Sequence, residues 1–451
     1  MNALPVLDLP PGSPMHHPDF LFGAGTAAYQ IEGATAADGR VPCIWDTFAA
    51  RPGTIRHGDT AAVACDHHRL WAQDIDLLAA LGFGAYRFSI AWPRVMHADG
   101  TPNPTGIGFY DRVLDRLAHH GIQALVTLYH WDLPQPLQDR GGWLNRDTAH
   151  RLADFAGTVA RHLGDRVAAW GTVNEPWCVA WLGHGIGVHA PGLADTRYAV
   201  EAMHHLLLGH GLACAALRAE GPVPVGLLAN VTAVSAATTD ERDRHAARLA
   251  QACWNRWVLD PVLAGAYPPE LEEVWPGFRP PVQPGDMATV STPLDFLGIN
   301  YYFRANVRSD GAHGYVDQGL DRVERTATGW EVYPAGLRDV LIGLKARHPD
   351  LPPVYVTENG MASDDVVVDG RVDDAQRVRY LQRHLDAIAQ AQRAGVDVRG
   401  YFAWSLLDNF EWTEGYAKRY GLVHVDYATQ ARTVKDSGLA LQAMLRQRQA
   451  A

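Results

Sequence analysis

Cysteine is scarce in this chain. Cys43, Cys65, Cys178, Cys214 and Cys253 are five in 451 residues, an odd number, widely spaced and without a C-x-x-C pair. Neither a disulfide framework nor a structural zinc site follows from such a pattern, so they read as buried, reduced thiols. Runs of about 18 apolar residues, which a membrane span needs, are also missing. The opening MNALPVLDLPPGSPMHHPDF has no basic n-region and no apolar h-region. Residues 1–17 therefore read as a flexible segment ahead of the fold, and a cytoplasmic location with no membrane partner is expected. No run of Lys and Arg could track phosphates, and a formal net charge of -11 argues against a nucleic-acid partner. The histidine pairs His67-His68, His119-His120 and His204-His205 lack H-E-x-x-H or another ligand spacing, so no metal is expected. A dinucleotide turn is missing too. GAGTAAYQIEG supplies Gly23 and Gly25 but no third glycine at the required spacing, and these two read as points of close backbone packing.

What the chain does have is material for a large core: 47% of its residues are hydrophobic and 20% charged, the balance of a globular protein. Eight strand-like runs recur, Phe20 to Gln30, Phe83 to Trp92, Gln123 to Trp131, Val167 to Glu175, Val223 to Val231, Asp295 to Tyr302, Pro353 to Glu358 and Val398 to Leu407. Between them, stretches such as RLWAQDIDLLAALG and DTAHRLADFAGTVARHLG place apolar residues three and four apart, as amphipathic helices do. Continuous apolar strands alternating with helices imply a parallel sheet covered on its outer face, and eight repeats close a barrel. The expected fold is α/β, a (β/α)8 TIM barrel over residues 18–446 with elaborated βα loops. An open doubly wound sheet or two smaller domains would show a glycine-rich phosphate turn or a mid-chain linker, and neither stands out. The segment from about Tyr302 to Val332 reads as a long irregular loop over the barrel mouth, and YPPELEEVWPGFRPPVQPGD as a surface excursion.

In such a barrel, polar groups at the carboxyl ends of the strands point into the site. Those ends carry Gln30, Arg87, His130-Trp131-Asp132, Asn174-Glu175, Asn300-Tyr301-Tyr302, Glu358-Asn359-Gly360 and Trp404, with Glu411-Trp412 just beyond. Glu175 and Glu358 end the fourth and seventh strands and would face each other across the mouth. Two facing carboxyl groups are what glycosidic bond cleavage requires, one protonated for the leaving oxygen and one ionised for the anomeric carbon. Arg87 can hold one of them ionised, while apolar surroundings such as Trp177 and Val173 favour the acid form of the other. Fourteen tryptophans include Trp131, Trp177, Trp404 and Trp412 at or after strand ends and Trp330 in the long loop, a set suited to stacking on sugar faces. His130, ending a strand, can bond a sugar hydroxyl or a backbone carbonyl.

With FGAGTAAYQIEG, YRFSIAWPRV, TLYHWDLPQPL, TVNEPW, GINYY, VTENG and FAWSLLDNFEWTEGYAKRYGLVHVD in this order, the chain resembles glycoside hydrolase family 1, the retaining β-glucosidase and β-galactosidase family, from Phe20 to about Ser437. The resemblance implies that Glu175 is the acid/base and Glu358 the nucleophile. It further implies that Gln30, His130, Asn174, Glu411 and Trp412 hold the glycone over a floor made by Trp404, that Arg87, Asn300 and Tyr302 flank the nucleophile, and that Trp330 lies on the aglycone side. Glu411-Trp412-Thr413-Glu414 disfavours the 6-phosphate that phospho-β-glucosidases of the family take, and Glu175 itself argues against a myrosinase-like member. The expected activity is hydrolysis of β-glucosides, including cello-oligosaccharides, by double displacement without a cofactor, with β-galactosidase or β-fucosidase side activity; it associates the chain with cellulose degradation. Transglycosylation, a non-catalytic sugar receptor and a metal-dependent barrel hydrolase are the alternatives. The preferred glycone and the oligomeric state are not read from the sequence.

Overall fold

A computed structural model describes residues 6–311 and 314–450. Eight strands run parallel in one closed sheet: β1 (Leu21–Gly25), β2 (Ala85–Ser89), β3 (Gln123–Tyr129), β4 (Val167–Asn174), β5 (Val225–Ala236), β6 (Phe296–Ser309), β7 (Val354–Asn359) and β8 (Val398–Trp404). Each pairs with its sequence neighbours, and β8 returns to β1 with Trp404 opposite Gly25. The chain is thus a (β/α)8 barrel. Its strands are nearly continuously apolar because both faces are covered. Ala85, Leu125, Ala169, Leu228, Phe296 and Phe402, all from strands, fill the interior, and a much larger cluster fills the space between sheet and helices.

The helices form where the period of apolar residues is 3.6. Asp147–Leu163 buries Leu152, Phe155, Ala156, Val159 and Leu163 on one face, and Thr196–Glu220 starts at Asp195, whose side chain accepts from the Arg197 N–H. Gly23 does admit close packing: a Cβ there would stand 2.4 Å from the Phe402 ring and 2.8 Å from the Ala85 carbonyl oxygen. Gly360 is tighter still, since a Cβ would meet the Trp404 carbonyl oxygen at 1.8 Å. The turn after β7 therefore requires glycine.

Several expectations are corrected. Residues 1–5 of the flexible segment lie outside the described residues, but the rest of it is packed. Leu7 and Met15 are buried in the core, and Asp8 exchanges two backbone hydrogen bonds with the Gln382 side chain, at 2.8 and 2.9 Å. The domain also runs past 446, because the helix Asp436–Ala450 packs into the core through Leu441, Met444 and Leu445 and its Arg448 donates to the Phe20 carbonyl at 2.7 Å. The first strand stops at Gly25, and Gln30 sits on a short helix, Ala28–Ile31. The region after Tyr302 is not all irregular: β6 continues to Ser309 and turns back through Tyr315–Asp317, before a turn at Thr326–Trp330. The proline-rich excursion contains one helical turn, Glu270–Val274, anchored by the fully buried Leu271, and leads into a second, Asp286–Val290.

Candidate active site

The strand ladder sets Asn230, Asn300 and Glu358 at one level of the barrel, Asn230 opposite Asn300 and Asn300 opposite Glu358. At this level opens a cavity of about 440 Å³ walled by His130, Trp131, Asn174, Glu175, Asn300, Tyr302, Trp330, Glu358, Trp404, Glu411 and Trp412. Arg87 lies beneath it, 1% exposed. Its guanidinium donates to Glu358 Oε1 at 2.6 Å, to Asn174 Oδ1 at 2.6 Å and to the Thr357 carbonyl at 3.1 Å. The Tyr302 hydroxyl donates to Glu358 Oε2 at 2.6 Å. Both Glu358 oxygens are therefore acceptors, the arrangement of a carboxylate.

Glu175 is treated differently. It follows the end of β4 with φ 49° and is 6% exposed. Burial, and then the negative charge of Glu358, push its carboxyl up to about 8. Asn300 Nδ2 donates to Glu175 Oε1 at 2.8 Å and to Asn174 Oδ1 at 3.1 Å, while Asn300 Oδ1 accepts from Thr357 Oγ1 at 2.7 Å. The amide orientation is thereby fixed, and the Glu175 proton falls to Oε2. One carboxyl group is thus kept protonated near neutral pH and its partner is held by a cation and a phenol.

Asn174, with its oxygen taken by Arg87 and Asn300, turns Nδ2 toward His130 Nε2 at 3.2 Å, which leaves the imidazole proton on Nδ1. Burial and the Arg87 charge depress the His130 pKa well below its usual value, so the ring is neutral. It is stacked between Trp404 and Trp412, each with ring centroids 5.9 Å away and 14° from parallel. Trp131 packs on Trp412 at 4.4 Å and donates its indole N–H to the Asn174 carbonyl at 2.9 Å. Trp131 and Trp412, like Glu175, have positive φ, 80° and 48°. Left-handed backbone at three non-glycine wall residues is strain concentrated where a site is built. Glu411 is pushed up to about 8 by burial and by the charges of Glu358 and Glu175.

Gln30 is fully buried beside Glu411. Its Nε2 is 3.4 Å from Glu411 Oε2 and donates to the Phe410 carbonyl at 2.9 Å, while its Oε1 is buried without a partner. All other residues singled out as substrate-contacting meet at the cavity. Sequence reasoning missed Cys178, whose thiol donates to Glu175; its position three residues on, at the start of a π-helical turn (Cys178–Gly185), was the available signal. It also missed Phe303, Thr232 and Lys418, all on the wall. The Lys418 ammonium is tied to the Ala327 carbonyl. Among the described residues, no group of three or more His, Cys, Asp or Glu could hold a metal ion, and no helix is long and apolar enough to cross a membrane.

Comparison with known proteins agrees with this geometry. A family profile described as glycosyl hydrolase family 1 matches residues 14–450. A β-glucosidase of an Agrobacterium species is 46% identical over 427 residues, 93% of each chain. A bifunctional β-D-glucosidase/β-D-fucosidase of Bifidobacterium breve is 46% identical, over 93% of this chain and 95% of its own. Among solved structures, the family 1 β-glucosidase of Thermotoga maritima superposes with a TM-score of 0.93 at 42% identity, over 98% of this chain and 99% of its own. With a profile spanning nearly the whole chain and relatives at this identity, the protein belongs to glycosyl hydrolase family 1.

Proposed function

We propose that the protein is a retaining β-glucosidase that releases terminal β-D-glucosyl residues from small glycosides and cello-oligosaccharides. The observation that carries this reading is the division of labour between the two carboxyl groups: Glu358 bonded by Arg87 and Tyr302, Glu175 pushed up to about 8. A Glu358 oxygen attacks the anomeric carbon as the bond to the leaving oxygen breaks, and Glu175 gives that oxygen its proton. In the second half Glu175 takes a proton from water, whose oxygen displaces Glu358 from the anomeric carbon. All reacting groups are side chains and water, and no cofactor enters this scheme.

His130, Asn174, Trp412 and Glu411 hold the sugar against Trp404, with Trp131 and Gln30 supporting them. Arg87, Asn300 and Tyr302 hold the carboxyl pair, and Trp330 borders the leaving group. The names of the relatives support glucosides as the main substrates, and that of the Bifidobacterium breve enzyme supports fucoside side activity. Five free cysteines fit a reducing, cytoplasmic compartment. The test is Glu358→Gly, assayed on a panel of 4-nitrophenyl β-glycosides. Hydrolysis should vanish, and transfer from α-glucosyl fluoride to a sugar acceptor should remain. Unchanged hydrolysis of the glucoside would overturn the assignment.

A further inference from the structure

Beside the cavity, β5 and β6 fall out of step. Val231 pairs with Tyr301 and Ala233 with Arg304, so one residue of β5 faces two of β6. The extra residue bulges at Tyr302-Phe303. In a regular strand these neighbours would point to opposite faces; here both line the cavity, and Trp330 packs on both, at ring-centroid distances of 5.6 and 5.0 Å. A bulge re-aims side chains in this way and leaves the facing residue without its ladder partners. That residue is Thr232, 7% exposed, whose N–H and C=O would be stranded inside the protein.

Asn255 supplies what is missing. Its Oδ1 accepts from the Thr232 N–H at 2.9 Å and its Nδ2 donates to the Thr232 carbonyl at 2.8 Å, so the carboxamide stands in for one residue of a neighbouring strand. Gln251 Oε1 accepts the other amide hydrogen at 2.6 Å, which fixes the orientation. Asn255 reaches Thr232 from a π-helical turn, Ala252–Arg256, which also puts Trp254 on the cavity wall. Asn255 itself does not line that cavity; it borders a separate one of about 690 Å³ outside the barrel.

We infer that Asn255 is a positioning residue for the leaving-group side of the site: by completing the ladder at Thr232 it holds the bulge that brings Thr232, Tyr302 and Phe303 onto one wall. The inference rests on the glycosidase reading. Tyr302 is tied to Glu358 by its own hydrogen bond, and the sugar end of the cavity, around His130, Trp404 and Glu411, has no contact with Asn255. Loss of the amide therefore acts on Thr232 and Phe303 first. A glucose leaving group needs hydrogen bonds from that wall, whereas a nitrophenolate leaves with little help.

The experiment compares Asn255→Ala with the native enzyme on cellobiose and on 4-nitrophenyl β-D-glucoside, and measures the affinity of 1-deoxynojirimycin, which has no leaving group. The ratio of kcat/KM for cellobiose to that for the aryl glucoside should fall about tenfold, the scale of one lost transition-state contact, with the iminosugar affinity unchanged within about twofold. General destabilisation removes active enzyme and lowers both substrates equally. A ratio that stays at the native value, or an equal loss for both substrates and the iminosugar, overturns the inference. Native enzyme inert on both substrates would instead overturn the glycosidase reading. Should Asn255→Ala not fold, Asn255→Asp carries the same criterion, since it keeps the acceptor for the Thr232 N–H and loses the amide donor to the Thr232 carbonyl and to Gln251 Oε1.

Discussion

Replacing Glu358 by Gln keeps the shape of the side chain and removes one negative charge from the cavity that Glu175 faces. Burial is the first cause of the high Glu175 pKa, about 8, and the Glu358 charge is the second. Two unit charges about 5.5 Å apart, the separation that retaining glycosidases use, repel by about 3 kcal/mol at an effective dielectric of ~20. That is about 2 pKa units. Arg87, no longer neutralised by Glu358, pushes in the same direction. Glu175 in Glu358→Gln is therefore expected to titrate near pH 6. The assay is 13C NMR of the side-chain carboxyl carbons in glutamate-labelled protein, titrated from about pH 4 to pH 10, with Glu358→Gln/Glu175→Gln identifying the resonance. A Glu175 that still titrates near 8 would show that burial alone sets its pKa and would refute this reasoning. The same charge disappears when the sugar esterifies Glu358, so the expected drop is also what turns Glu175 from acid into base between the two half-reactions.

Two further outcomes follow from the charges described. For an unactivated glucoside, kcat/KM should fall as pH rises through about 8, because Glu175 must enter the reaction protonated. For a dinitrophenyl glucoside, whose leaving group needs no proton, that limb should flatten; equal limbs for the two substrates would count against Glu175 as the acid. Lys435→Met should lower the unfolding free energy by about 3–5 kcal/mol, read by urea unfolding, because it removes one of the cations that compensate the buried carboxylates Asp365 and Asp408. The ammonium bonds Asp365 and Asp408 at 2.5 and 2.6 Å and is itself fully buried; a change under about 1 kcal/mol would mean that Arg377 and Arg419 suffice.

What the sequence made legible was mostly what local pattern dictates. Strand and helix periods fixed the barrel, and strand ends located the carboxyl pair, because a barrel puts those ends at one mouth. That one carboxyl group would be held ionised by Arg87 and the other kept as an acid was also open to reading, while which was which came from the family resemblance. The rest depended on contacts distant in sequence. The extension of β6 to Ser309 comes from pairing with β5 across some 70 residues, which no local period records. Gln30 left the first strand because the chain turns into a helix after Gly25. The buried ion network of Lys435, Asp365, Asp408 and Arg377 joins three segments that look like ordinary charged surface when read one at a time.

The mesh of Arg87, Asn174, Asn300, Thr357 and Tyr302 has a consequence for how such an enzyme can change. Every member of it belongs to a barrel strand, β2, β4, β6 or β7, and its hydrogen bonds run to one another, to the carboxyl pair and to Thr127 of β3, reaching past the strands only at His130 and Trp131, which directly follow β3. The reacting geometry is therefore set in a frame separate from the loops that shape the entrance, such as the turn carrying Trp330. Segments of that entrance can be exchanged, lengthened or diversified as a library while turnover chemistry is retained. The fold in this sense carries its reaction as a fixed module and its choice of leaving group as a replaceable one.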